Sequence, residues 1–240
     1  TLALALPRAD NAWLDGFSRG LFALADAHGC ELIGGDTTQG PLNISITVFG
    51  EVPPGQALLR HAAQAGDDIY VSGTLGDARL ALEVFRGNTQ VGGDVFERVR
   101  ARMECPTPRV ALGLALRGVA HAAIDVSDGL LGDLGHVLKR SGVGAHIDTG
   151  WVQGSAAVTP DVLGLPWPRR LDFVLAGGDD YELLFTAAVQ DRERIHALAS
   201  DIEVPVTRIG RITAESGLRV LDPQGQPINR RFSSFDHFSA

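Results

Sequence analysis

The stretch Ala122-Ala-Ile-Asp125-Val-Ser-Asp128-Gly-Leu130 decides how this chain is read. Ala122–Val126 is a short apolar run that predicts a buried strand, and Leu130–Lys139 has helical spacing that Gly142 ends. Strand alternation places Asp125 and Ser127 on one face if the strand continues that far, and Asp128-Gly129 opens the helix. Two carboxylates and a hydroxyl at a strand end, beside a helix N-terminus, suit both a cation and a phosphate. An Asp N-cap with Ser in a tight turn explains Asp128 equally well. It does not explain Asp125, whose carboxylate closes an apolar run where burial is costly without a partner.

Working outward, helical and strand patterns alternate without regular βαβ spacing. Upstream, Asp68–Ser72 predicts a strand, and Ala78–Phe85, Val95–Met103 and Arg109–Leu116 predict helices, the last two separated by Pro106 and Pro108. Downstream, Ala145–Ile147 extends a sheet, Arg170–Ala176 is helical, Glu182–Thr186 is a strand and Gln190–Ala199 an amphipathic helix. The tail alternates twice from Val206, with Asp222-Pro-Gln-Gly225 as a turn. Pro53-Pro54-Gly55 breaks the pattern, so a boundary is expected between about Pro53 and Gly66, giving domains over residues 1–60 and 61–240. In the first of these, Thr1–Pro7 alternates as a strand and Asp10 caps a helix over Asn11–His28. Glu31–Gly34 is a short strand and Asn43–Val52 a longer β-branched one. Thr1–Pro7 reads as a strand that begins mid-fold, so residues upstream of Thr1 are expected. The whole pattern predicts a mixed α/β (α+β) fold rather than a Rossmann sheet.

The charges narrow the chemistry. The 21 basic residues include a single lysine, Lys139, which lies in a helical pattern and outside any G-x-x-x-x-G-K-[ST] loop. That excludes a P-loop and a protein-kinase phosphate lysine, and leaves a Schiff-base enzyme only that one residue. Asp outnumbers Glu; Asp suits turns and caps, and beside Gly it also suits magnesium, which takes hard oxygen ligands. A net charge of −8 argues against duplex DNA as a partner. No apolar run approaches the roughly 18 residues of a spanning helix, so no membrane partner is expected. Cys30 and Cys105 have no metal spacing and point to a reducing compartment, which we read as cytoplasmic.

Two glycine-rich stretches are further candidates. In Gly34-Gly35-Asp36-Thr37-Thr38, paired glycines let backbone N–H groups approach a phosphate and Asp36 could hold its metal; the alternative is a glycine turn with an Asp cap. Gly92-Gly93-Asp94, the same tripeptide between two helices, reads only as a linker. Gly177-Gly178-Asp179-Asp180-Tyr181-Glu182 sets three carboxylates after a double glycine, a cluster expected to face solvent unless cations or ligand compensate it. Arg60 could fork to a phosphate, although a solvated surface Arg is the ordinary case. Of Phe232, Phe235 and Phe238, two are expected in the core.

Taken in order, Thr1–Pro7, Gly34–Pro41, Val71–Asp77, Cys105–Arg109, Ala123–Leu130, Gly177–Leu183 and Phe235–Phe238 resemble the thiamine-monophosphate kinase family. That family belongs to the superfamily of aminoimidazole ribonucleotide synthetase and selenophosphate synthetase. The resemblance implies a two-domain fold, with the N-terminal α/β domain incomplete here and pairing across a homodimer. It implies ATP in the cleft between domains, several Mg²⁺ ions, and γ-phosphoryl transfer to thiamine monophosphate. Asp36, Asp125 and Asp128 would be magnesium ligands, with Asp125 and Asp128 catalytic. Gly35, Asp36, Arg60 and Ser127 would contact ATP, Asp179 would lie at the thiamine phosphate and Phe235 would pack on the thiamine rings. Family members usually have Glu at position 179, and carry an upstream stretch with further acidic metal ligands. Two alternatives stand beside this reading: another ATP-dependent enzyme of the superfamily, activating an amide or a selenide, and a non-catalytic Mg-nucleotide-binding or dimerisation fragment.

Overall fold

The computed structural model describes residues 1–232, so Phe235 and Phe238 lie outside the described residues. The chain divides into a first compact unit, Thr1–Pro54, and a second that begins at Gly55.

The first unit is a three-stranded sheet carrying one long helix. β1 (Leu2–Leu6) buries Leu4 and Leu6, as its alternation demands. α1 (Asn11–Ala27) begins where the Asp10 carboxylate accepts the backbone N–H groups of Ala12 and Trp13 at 3.0 and 3.2 Å. β2 (Gly35–Gln39) then runs parallel to β1, and β3 (Asn43–Ile46) antiparallel to it, in the order β2-β1-β3.

Two sequence expectations shift here. The strand placed at Glu31–Gly34 lies instead at Gly35–Gln39, because the parallel return from α1 brings Gly35 into register with Leu2. The residues that pair are polar (Gly-Asp-Thr-Thr-Gln), so no apolar alternation marks them. The strand expected over Asn43–Val52 ends at Ile46, which pairs with Leu2, the first residue of β1. Beyond it Thr47 still exchanges hydrogen bonds with Thr1, its N–H donating to the Thr1 carbonyl at 3.0 Å and the Thr1 amino group to the Thr47 carbonyl at 2.8 Å.

The second unit has a six-stranded sheet with helices on both faces. In chain order it contains β4 (Asp68–Ser72), α2 (Asp77–Phe85), α3 (Gly93–Glu104), α4 (Val110–Ala115), β5 (Ala120–Asp125), α5 (Leu130–Ser141) and β6 (Gly144–Asp148). There follow α6 (Pro160–Leu163), α7 (Trp167–Ala176), β7 (Leu183–Ala187), α8 (Arg192–Asp201), β8 (Val206–Thr213) and β9 (Gly217–Leu221). The strand order is β5-β7-β4-β8-β6-β9, antiparallel throughout except for the parallel β6–β9 pair.

Every residue of β4 is buried, and period-two alternation sends its side chains into two cores. Ile69 and Val71 join Leu80, Leu130, Leu134, Val137 and Leu175, under α2, α5 and α7. Tyr70 stacks on Phe185 at 5.1 Å and packs with Leu112 and Ile195, under α4 and α8. Phe232 is partly buried against the first core. This architecture makes β5 and β7 antiparallel neighbours, with Asp125 opposite Leu183. The C-terminal end of β5 therefore meets the N-terminal start of β7, and the loops carrying the two acidic motifs must lie side by side.

Candidate functional site

Three backbone hydrogen bonds join those loops beyond the last strand pair. Val126 N–H donates to the Glu182 carbonyl at 2.8 Å, Tyr181 N–H to Val126 O at 2.9 Å, and Asp179 N–H to Ser127 O at 2.8 Å. Gly178 sits at φ +83°, and a Cβ there would stand 2.7 Å from the Ser127 carbonyl oxygen, so the approach needs glycine. The strand itself ends at Asp125, so Ser127 is placed by this loop pairing and not, as the alternation suggested, by a strand running on past Asp125.

α5 begins at Leu130, as its sequence pattern predicts. The N–H groups of Ser127, Asp128 and Gly129, in the loop that leads into α5, all donate to one oxygen of Asp133, at 3.0, 3.1 and 3.1 Å. Asp133 is buried in α5 and folds back over its own N-terminus. Burial, with the neighbouring Asp128 charge, raises its pKa against the opposing pull of those N–H groups. Its position in the first turn of an amphipathic helix was the available signal, and it was not read.

The run Asp179-Asp180-Tyr181-Glu182 does not face solvent as a whole. Asp179 and Tyr181 point outward, whereas Asp180 and Glu182 are buried. Asp180 accepts the Gly76 N–H at 3.1 Å with both oxygens, capping α2, and burial drives its pKa well up. Glu182 receives Ser72 Oγ at 2.6 Å, Arg109 through two nitrogens at 2.6 and 2.7 Å, and Arg102 at 2.7 Å. Burial opposes its ionisation, but the arginines and the hydroxyl prevail and lower its pKa. The expectation of solvation failed because the compensating cations come from α3 and the residue before α4, some 70 to 80 positions earlier in the chain.

What remains at the surface is a cleft of about 340 Å³ lined by Arg79, Leu82, Arg86, Ser127, Asp128, Gly177, Asp179 and Tyr181. Tyr181 and Asp179 both hold positive φ, +49° and +60°, an uncommon conformation for their types. The Tyr181 hydroxyl pKa is raised by burial and then by the charges of Asp179, Asp125 and Asp128. The site residues Ser127, Asp128 and Asp179 thus share one cleft, and Asp125 stands near it. Arg60 is exposed in a turn and does not line it. Gly35 and Asp36 lie in the first unit on β2, Asp36 exposed and paired with Ala3 in register. A Cβ at Gly35 would collide with the backbone of Leu2, so strand pairing already requires that glycine.

Among the described residues, no group of three or more His, Cys, Asp or Glu side chains is arranged to hold a metal ion. The donors at the cleft are hard carboxylate oxygens. They fit a magnesium ion that keeps water and is bound by one or two carboxylates together with substrate phosphates, rather than a closed protein cage.

The chain matches the AIR synthase related protein family, through its N-terminal domain over residues 1–52 and its C-terminal domain over residues 64–222. It is 41% identical over 242 residues to a thiamine-monophosphate kinase of Salmonella typhimurium, covering 100% of this chain and 73% of that protein. It is similar to the crystal structure of a thiamine-monophosphate kinase from Stenotrophomonas maltophilia, with a TM-score of 0.85, 49% identity, and coverage of 95% of this chain and 72% of that one. It shares the fold of AaThiL complexed with AMPPCP and TMP, with a TM-score of 0.76 and 24% identity over 99% of this chain and 72% of that one.

Proposed function

This chain belongs to the thiamine-monophosphate kinase family, and from that premise we propose how its residues serve the reaction. The enzyme phosphorylates thiamine monophosphate at the expense of ATP. The observation that carries our reading of the site is the hydrogen-bonded pairing of the Val126–Gly129 and Gly178–Glu182 loops, which gathers Asp128 and Asp179 in one cleft near Asp125.

The acceptor is already an anionic phosphate oxygen, so no strong general base is needed at the cleft. The barrier is the approach of two polyanions, and positioning with charge neutralisation lowers it. Asp125 and Asp128 would hold magnesium, which supplies that neutralisation when bound; Asp36, on β2 of the first unit, is read from the family resemblance as a magnesium ligand too. The side chains can be precise because their backbone is fixed: Asp133 holds the first loop and Asp180 and Glu182 anchor the second. From the family resemblance we read Asp179 as the contact of the acceptor phosphate, Gly35, Asp36, Arg60 and Ser127 as contacts of the nucleotide, and Phe235 as the contact of the thiamine rings. Transfer is direct and in line.

We also read the protein as a cytoplasmic homodimer. The first unit exposes Ile44, Ile46, Val48 and Phe49 on and after β3, an apolar surface of the kind a second copy covers. Both cysteines are unpaired and exposed, as a reducing compartment allows.

Asp125→Asn and Asp128→Asn should each lower turnover on the order of 10²-fold or more, with the thermal midpoint little changed. Both are measured as ADP release dependent on thiamine monophosphate. Near-normal turnover in both variants would sink the assignment of these carboxylates.

A further inference from the structure

The cleft has a basic wall that the chemistry above leaves unused. Arg79 and Arg86 come from α2 and from the residue that ends it, and both line the cleft together with Asp128 and Asp179. Their guanidinium groups converge on a single atom: Arg79 Nη2 lies 3.0 Å and Arg86 Nη1 3.3 Å from Glu83 Oε1. Glu83 is buried, and its other oxygen accepts the Asn88 side-chain amide at 2.9 Å. One fixed carboxylate therefore aligns two guanidinium groups, leaving a net positive charge on this wall. A helix-surface arginine is ordinarily a solvated group holding an i,i+4 partner. These two differ in sharing one buried anchor and in lining a concavity that they share with Asp128 and Asp179.

That arrangement answers a problem the substrate poses. A phosphate entering among Asp125, Asp128 and Asp179 meets like charge, and every such pair is repulsive. Arginine offers five donors in a planar fork suited to phosphate oxygens, and a single contact to Glu83 leaves donors on each group that can reach the cleft. We propose that Arg79 and Arg86 bind the phosphate of thiamine monophosphate and so make the enzyme select the phosphorylated vitamin over thiamine itself. Glu83 is a positioning residue that holds the pair at the right spacing. This rests on the kinase reading of the cleft given above.

The experiment takes the full chain with Arg79→Gln, Arg86→Gln and the double variant. KM is measured separately for thiamine monophosphate and for ATP, and binding of thiamine monophosphate and of thiamine is measured by calorimetry. Arg86 is about half exposed, so its replacement tests the idea even if Arg79→Gln folds poorly. Each single variant should raise KM for thiamine monophosphate roughly ten- to hundredfold, leave KM for ATP within about twofold, and leave thiamine binding unchanged. Unchanged KM for thiamine monophosphate, or a rise in KM for ATP of the same size, overturns the proposal. The turnover of the parent chain reports separately on the kinase reading. If the parent releases ADP and the variants keep its KM, only the arginine assignment falls. If the parent releases none, the kinase reading falls, and the calorimetric preference for thiamine monophosphate over thiamine still decides the arginine assignment.

Discussion

At the scale of single residues, Asp133 matters as much to this site as the aspartates that flank it. Its carboxylate takes up three consecutive N–H groups of the loop that leads into α5. It thereby fixes the direction of Asp128 without facing the substrate. Asp133→Ala should destabilise the protein by about 3 kcal/mol, since buried donors left without an acceptor each cost of order 1 kcal/mol or more. Turnover should fall with it, because the loop carrying Asp128 loosens. Chemical denaturation alongside a turnover assay measures both, and a variant as stable as the parent would refute the bracing role. At the same scale the motif aspartates were legible in the sequence: Asp125, Asp128 and Asp179 stand out beside glycine in short-range patterns. The residues that brace or complement them were not, because Asp133, Glu83, Arg79 and Arg86 acquire meaning only through what they touch.

At the scale of elements, the decisive feature is the adjacency of β5 and β7, which continues as paired loops where the ladder ends. Gly178 is its narrowest point. Gly178→Ala adds a methyl 2.7 Å from the Ser127 carbonyl at a φ of +83°, so both the contact and the backbone resist it. We expect a loss of about 2 kcal/mol or more and a larger proportional loss of turnover, because Asp179 is displaced relative to Asp128. Thermal melts and kinetics on the purified variant check this, and full activity would show that the pairing is dispensable. Most helices and strands could be read locally: the Asp10 cap, the period of α5 and its Gly142 stop, and the alternation of β4 all appear in the fold. The two first-unit strands that shifted did so because pairing outweighed propensity. β2 is polar yet paired along its whole length, and β3 is regular only as far as its register with β1 runs.

At the scale of the whole molecule, buried carboxylates of opposite sign in their pKa shift shape the pH dependence. Glu182, lowered by its arginines and Ser72, contributes stability above its ordinary value near 4.5, lost as pH falls through the lower folded value. Asp180, raised by burial, and Asp77, raised likewise, contribute stability that is complete below about 3.8 and is lost as pH rises through their higher folded values. Stability should therefore decline from mildly acidic pH in both directions. Asp180→Asn should flatten the rising-pH limb, whose slope from one group is at most about 1.4 kcal/mol per pH unit. Thermal midpoints from about pH 4 to pH 8 test this, and equal slopes in parent and variant would exclude Asp180 as a source.

The sequence by itself determined the mixed α/β class, the acidic glycine motifs, and the absence of lysine from any phosphate loop. Those properties are local, set by residue type and by periods of 2 and 3.6. The tertiary structure alone decided that two acidic segments some 50 residues apart share a cleft, that Asp180 and Glu182 turn inward, and that Arg102 and Arg109 pair with Glu182. The physical reason is that the cost of burying a charge depends on where its counter-charge stands, and the antiparallel placement of β5 beside β7 sets that distance.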